Sequence, residues 1–188
     1  MDDQTVDEQT VKEKKQRAGS ELKEWVKSIA LAVVIALVIR LFFFETFLVE
    51  GTSMHPTLQH HERLIVNKIV YNFKEPEQGD VIVFNYSIRR DFIKRIIGLA
   101  GDEVEIRNGN LYVNEKLQEE PYIQNQAMYD FGPVVIPEGH VFVLGDNRDN
   151  SMDSRDPAVG SISVERVKGK AMVVFWPFSS AGLLNNSA

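Results

Sequence analysis

Glu103-Val104-Glu105-Ile106-Arg107-Asn108-Gly109-Asn110-Leu111-Tyr112-Val113 is the stretch on which the fold class turns. Two short runs of strand-forming residues flank Asn108-Gly109, and both turn residues tolerate the positive φ that a tight hairpin requires. An antiparallel pair of strands is predicted here. Working outward, the same texture recurs in Arg63-Leu64-Ile65-Val66-Asn67-Lys68, Asp80-Val81-Ile82-Val83-Phe84, Val141-Phe142-Val143-Leu144 and Ala171-Met172-Val173-Val174-Phe175-Trp176. These β-branched and aromatic runs are separated by Gly, Pro, Asn and Asp. The folded part is therefore predicted to be mainly β, an antiparallel sheet, with the polar stretch from Gln118 to Asp130 as an excursion from it.

With 188 residues, 44% hydrophobic and 26% charged, the chain can bury one good core, so one main domain is expected. The absence of cysteine excludes disulfides, thiolate zinc sites and cysteine-protease chemistry. A net charge of -6, without a basic patch, argues against a nucleic-acid partner. Beyond the adjacent His60 and His61 no ligand cluster suggests itself, so neither a metal nor another cofactor is expected.

Upstream lies Ser28 to Phe44, SIALAVVIALVIRLFFF. As a helix these residues rise roughly 25 Å, and flanking Trp25, Val26, Phe47 and Leu48 extend the apolar length to about the 30 Å of a bilayer core. Arg40, four residues from Phe44, can snorkel to the headgroups. Lys12, Lys14, Lys15, Arg17, Lys23 and Lys27 precede the span, whereas the next basic residue after Arg40 is Arg63. That asymmetry predicts a cytoplasmic N-terminus. The expected organisation is a largely disordered cytoplasmic tail over 1–27, an uncleaved transmembrane anchor helix over 28–47, and an extracytoplasmic β-rich catalytic domain over 48–188.

Directly after the span comes Val49-Glu50-Gly51-Thr52-Ser53-Met54-His55-Pro56-Thr57-Leu58, where Ser53 sits among turn-forming residues that can expose its hydroxyl and aim its amide at a developing oxyanion. His55 stands where a nucleophile elbow would need its second glycine. A serine needs a base, and a strand over Asp91 to Gly98 would place Phe92, Lys94 and Ile96 on one face. Burying that ammonium without a partner lowers its pKa, which makes a lysine a usable base; Arg95, similarly bracketed, cannot give up its proton. The bland alternatives are a linker serine and a snorkelling lysine. A third segment, Gly145 to Asp156, is densely polar and fails every register of a calcium-binding EF-hand loop. Within it Ser151 is able to hydrogen-bond a neutral lysine, and Asp153 is spaced to pair with Arg155.

Together, in this order, these segments resemble type I signal peptidases, most of all those of Gram-positive type. The resemblance runs from about Ser28 to Pro177 on Gly51-Thr52-Ser53-Met54-His55-Pro56-Thr57-Leu58, Gly79-Asp80-Val81-Ile82-Val83, Lys94-Arg95-Ile96-Ile97-Gly98-Leu99-Ala100-Gly101-Asp102 and Gly145 to Arg155. It implies a membrane-bound Ser/Lys serine endopeptidase of the cell membrane that removes signal peptides from secreted preproteins. Ser53 would attack, Lys94 accept the proton, Ser151 orient the amine, and Asp153 and Arg155 support that strand. The Ser53 amide would be one oxyanion donor. Gram-negative relatives carry a serine at the position of Gly51, which leaves Thr52 or a water as the second donor here. Ala100 replaces a usual proline.

The expected partners are preproteins carrying signal peptides and the lipid bilayer. An extended peptide can add to a sheet edge, with alternate side chains entering shallow pockets that accept small residues. The resemblance assigns those pockets to Phe47, Val49, Met54, Leu58, Phe92 and Ile93. Three rivals are a self-cleaving Ser/Lys repressor, a non-enzymatic membrane-anchored binding module, and a histidine-dependent serine protease using His140 and Asp146.

Overall fold

The computed structural model describes the backbone of residues 3–184 and the side chains of residues 23–184. Residues 1, 2 and 185–188 of the expected tail and domain lie outside the described residues. The first unit of the molecule is a helix, α1 (Asp3–Phe43). Its stretch Lys23–Phe43 is 21 residues long with mean hydropathy 2.4, long and apolar enough to cross a membrane. Arg40 falls in its last turn.

Two boundaries differ from expectation. The stretch from residue 3 to 27, expected to be largely disordered, is helical in backbone. Its Glu, Lys and Gln are strong helix formers with no proline among them, so a helix nucleated in the apolar stretch propagates backwards. The anchor, expected to reach residue 47, ends at Phe43. Phe44–Leu48 is strand β1, because the aromatic and β-branched Phe44, Thr46 and Phe47 find an antiparallel partner.

In the second unit the strands follow in order: β2 (Arg63–Asn67), β3 (Val81–Ser87), β4 (Arg90–Gly98), β5 (Glu103–Arg107), β6 (Asn110–Val113), β7 (Lys116–Leu117), β8 (Phe131–Val135), β9 (His140–Leu144), β10 (Ile162–Ser163), β11 (Val167–Trp176) and β12 (Gly182–Leu183). One antiparallel sheet has the order β1-β2-β11-β3-β4-β9-β10, with β12 also on β11; a four-stranded sheet has the order β7-β6-β5-β8. The expected hairpin joins β5 to β6: Asn108 and Gly109 take φ of 51° and 78°, and Arg107 faces Asn110 across the turn.

β3 shows why its sequence reads as continuously apolar. Val81 and Val83 enter one core cluster with Leu58, Leu64, Val66 and Val174, while Ile82 and Phe84 enter another with Ile96, Val143 and Ile162. The strand is covered on both faces, and each such side chain contributes roughly 1.5–3 kcal/mol by leaving water. A third cluster, with Ile97, Val104, Ile106, Ile136 and Phe142, joins the two sheets. Gly98 allows that approach, since a Cβ there would lie 2.7 Å from Ile136 Cδ1.

Candidate active site

Ser53 is delivered by the loop between β1 and β2. The loop closes on itself, the Val49 N–H donating to Glu62 O (2.8 Å) and the His61 N–H to Val49 O (2.9 Å). Val49, Met54 and Leu58 hang it from the core as buried apolar anchors. Between those anchors Gly51 and Thr52 stay exposed and Ser53 is half-buried.

Lys94 comes from the middle of β4, opposite Ile82 on β3. Its side chain is buried among apolar neighbours, with Nζ 5.2 Å from the Phe92 ring centroid. Nζ lies 2.7 Å from Ser53 Oγ and 3.0 Å from Ile93 O. Among the described residues no carboxylate forms an ion pair with it. Burial therefore pulls its pKa down to about 8, against the partial opposing pull of Asp153 and Asp146. Holding the ammonium there costs about 3 kcal/mol relative to water. A hydroxyl and a partly neutral amine at hydrogen-bond distance are the elements of nucleophilic catalysis.

The segment after β9 completes the surroundings. The Asn147 N–H donates to Ser53 O (3.0 Å), Asn147 Nδ2 to Thr52 O (3.1 Å) and Asn150 Nδ2 to Thr52 Oγ1 (2.8 Å). Gly145 lets the two segments touch, because a Cβ there would stand 2.4 Å from Ser53 O and 2.2 Å from Ser151 Oγ. The Gly145 N–H donates to Asp153 Oδ2 (3.1 Å), and Asp153 takes both Nε and Nη2 of Arg155 at 2.8 and 2.9 Å. The expected pair of Asp153 and Arg155 is thus present. Arg155 Nη2 also donates to Arg148 O (2.7 Å).

Ser151 departs from expectation. Its hydroxyl makes no hydrogen bond to Lys94 or to any other described residue, and lies buried against Gly145. Lys94 instead spends its donors on Ser53 Oγ and Ile93 O.

A pocket of about 340 Å³ opens over Ser53 and Lys94, and Val49, Met54, Phe92 and Ile93 line it as expected. Phe47 and Leu58 do not. Leu58 is fully buried as an anchor of the loop, and Phe47 packs on the same core with Lys168 Nζ 5.7 Å above its ring. Both are apolar enough for a pocket, and the core claims them first. Asp91 and Met152, which the sequence did not single out, line the pocket.

Two charged pairs of the scaffold, four residues in all, also escaped the sequence reading. Arg95 and Asp146, both without solvent contact, form a two-pronged pair at 2.9 and 2.8 Å, and Arg95 Nη1 donates to Gly79 O (2.9 Å). Its guanidinium lies 4.0 Å from the Tyr122 ring centroid. Arg148 makes a two-pronged pair with Glu120, one bond at 2.8 Å, so the excursion 118–130 is tied back to the site from both arginines. Burial pushes the Arg148 pKa down, but the bonds and charge of Glu120 outweigh it and the net shift is upward. An unbroken polar run after an apolar strand was the available signal; the partners are too distant in sequence to read. His140 Nδ1 lies 2.8 Å from Glu138 O, in a separate hollow with Lys68 and Tyr71, and Asp146 is committed to Arg95, so no histidine dyad forms with Ser53. Among the described residues no group of three or more His, Asp or Glu side chains is placed to hold a metal ion.

The family described as signal peptidase, peptidase S26, matches residues 22–176. Signal peptidase I of Bacillus licheniformis is 45% identical over 178 residues, 89% of this chain and 95% of that protein. Signal peptidase I T of Bacillus subtilis is 42% identical, covering 90% and 93% of the two chains. Signal peptidase I of Leptolyngbya laminosa is 42% identical, covering 89% and 86%.

Proposed function

Because this chain belongs to the signal peptidase family, peptidase S26, we propose that it cuts signal peptides from exported preproteins with Ser53 as nucleophile and Lys94 as general base. The observation that carries this reading is the 2.7 Å separation of Ser53 Oγ from a buried lysine amine that lacks a counter-ion. As Oγ attacks the scissile carbonyl carbon, its proton passes to Nζ, and the Ser53 N–H donates to the oxyanion. The ammonium then protonates the leaving amine. The same amine, neutral again, takes a proton from the water that hydrolyses the acyl-enzyme ester.

Supporting roles follow from contact. Asp153 and Arg155 hold the Gly145 amide, and thus the segment whose Asn147 N–H fixes Ser53 O. For Ser151, whose buried hydroxyl has no hydrogen bond, the role of orienting the Lys94 amine rests on the family resemblance and not on a contact. Thr52, whose Oγ1 accepts from Asn150, keeps its own proton for the oxyanion. Val49, Met54, Phe92 and Ile93 shape a pocket suited to the small residues of a small-x-small cleavage site.

The apolar helix anchors the enzyme in the cell membrane as a single pass. In this reading the N-terminus is cytoplasmic and the catalytic domain lies outside, which the basic residues before the helix support. The bilayer then serves as a tether that concentrates the enzyme against preproteins emerging at the same surface. The test is cleavage of a purified preprotein by Ser53→Ala and Lys94→Ala: each should abolish cleavage with the circular dichroism spectrum unchanged. Retained cleavage in either would overturn the assignment.

A further inference from the structure

The segment 51–53 is braced from two sides. From one side Asn147 and Asn150 hold Thr52 and Ser53. From the other, the Gly51 N–H donates to Nδ1 of His60 at 3.0 Å, across the base of the loop. A backbone nitrogen only donates, so Nδ1 must be the bare nitrogen and the ring proton must sit on Nε2. Gly51 holds a φ of +106°, open to glycine, and nothing lies within 4 Å of where its Cβ would be. Packing does not wedge this residue in place; the bond to His60 sets the position of its amide.

We propose that His60 is a positioning residue for peptide hydrolysis: its unprotonated Nδ1 pins the Gly51 amide, and through it the backbone from which Ser53 presents both nucleophile and oxyanion donor. This rests on Ser53 and Lys94 being the reacting pair. The bonds to Thr52 and Ser53 from Asn147, Asn150 and the His55 N–H have no titrating partner. Among the described residues bonded to 51–53, only Lys94 and His60 can change protonation. A proton on Nδ1 turns the His60 bond into two donors facing each other, and the segment loses a brace. The titratable groups around His60 are His61, whose ring centroid is 3.7 Å away, and two neighbours on the loop. These are Glu62, whose Oε2 accepts from the Gln59 N–H (2.9 Å), and the exposed Glu50 beside Gly51.

The experiment is the pH dependence of kcat and KM, from about pH 5 to 9, for the full chain in detergent with a peptide carrying a small-x-small site. Wild type is compared with His60→Ala and His60→Asn, with Tm measured beside them. Asn Oδ1 takes the place of Nδ1 and remains an acceptor at every pH. His60→Ala should lose about tenfold in kcat at unchanged KM and Tm. His60→Asn should restore most of that loss at each pH measured. Superimposable profiles for all three proteins, or an Asn variant as impaired as Ala, would overturn the inference. The limb near pH 8 assigned to Lys94 would survive that failure. Failure of the Ser53 and Lys94 reading would show instead as cleavage by Ser53→Ala.

Discussion

Lys94 and Arg95 are neighbours on β4, both buried, and their surroundings treat the two charges in opposite ways. Around Arg95 the protein supplies Asp146 to two of its nitrogens, the Gly79 carbonyl to a third and the Tyr122 ring to its face. Around Lys94 it supplies a hydroxyl, one carbonyl and the Phe92 ring, and among the described residues no ion-paired carboxylate. Desolvation is common to both sites; Arg95 keeps its proton by its own chemistry and is paired, whereas Lys94, which holds its proton less tightly and is left without a carboxylate, can lose it. The lesson is that a proton-accepting lysine is made by withholding a partner as much as by placing one.

Lys94→Met breaks the comparison most severely. It removes the base, so cleavage of a peptide substrate should fall by a factor of at least about 10³, with Lys94→Arg no better because guanidinium keeps its proton. Yet thermal melts at neutral pH should show Lys94→Met no less stable than wild type, since about 3 kcal/mol of uncompensated burial is relieved. Arg95→Met should do the reverse: denaturant melts should show a loss of about 3–5 kcal/mol because Asp146 is left buried and unpaired, and adding Asp146→Leu should recover a large part of it. Equal behaviour of the two single variants in both assays would erase the distinction.

The pH dependence sharpens it. Only the neutral amine is a base, so kcat/KM should rise with pH below about 8, approaching tenfold per unit, and level off above it. The stability effect has its own sign: the folded pKa lies below the ordinary 10.5, so between about 8 and 10.5 the unfolded chain binds more protons and wild-type stability rises with pH. The stability difference between Lys94→Met and wild type should therefore shrink over that window in melts at stepped pH. The smallest effect is expected at a solvated ion pair: Arg107→Ala, which removes the half-exposed partner of Glu105, should shift stability by less than about 0.5 kcal/mol.

Local features were the legible ones. Asn108-Gly109 announced its hairpin because its turn geometry is a property of two residues. Phe92, Lys94 and Ile96 could be put on one strand face because the period of two is local as well. What escaped was set by partners far along the chain. Arg95 finds Asp146 51 residues away, and Arg148 finds Glu120 28 residues away, inside a stretch that reads only as a polar excursion. Leu58 and Phe47 were misplaced for a related reason: an apolar residue near a nucleophile suits a pocket and a core equally, and only packing decides. At Phe44–Leu48 a pairing strand ended a helix that hydropathy alone would have continued.

The bond from Asn147 to Thr52 spans 95 positions and that from Asn150 to Thr52 spans 98, whereas the proposed reacting pair, Ser53 and Lys94, is 41 apart. During synthesis, then, both chemically active side chains leave the ribosome well before the asparagines that steady the serine. Loop closure over such distances comes late in folding. In a partly made molecule that has not reached Asn147 and Asn150, Thr52 and Ser53 lack the bonds that hold them in the finished fold.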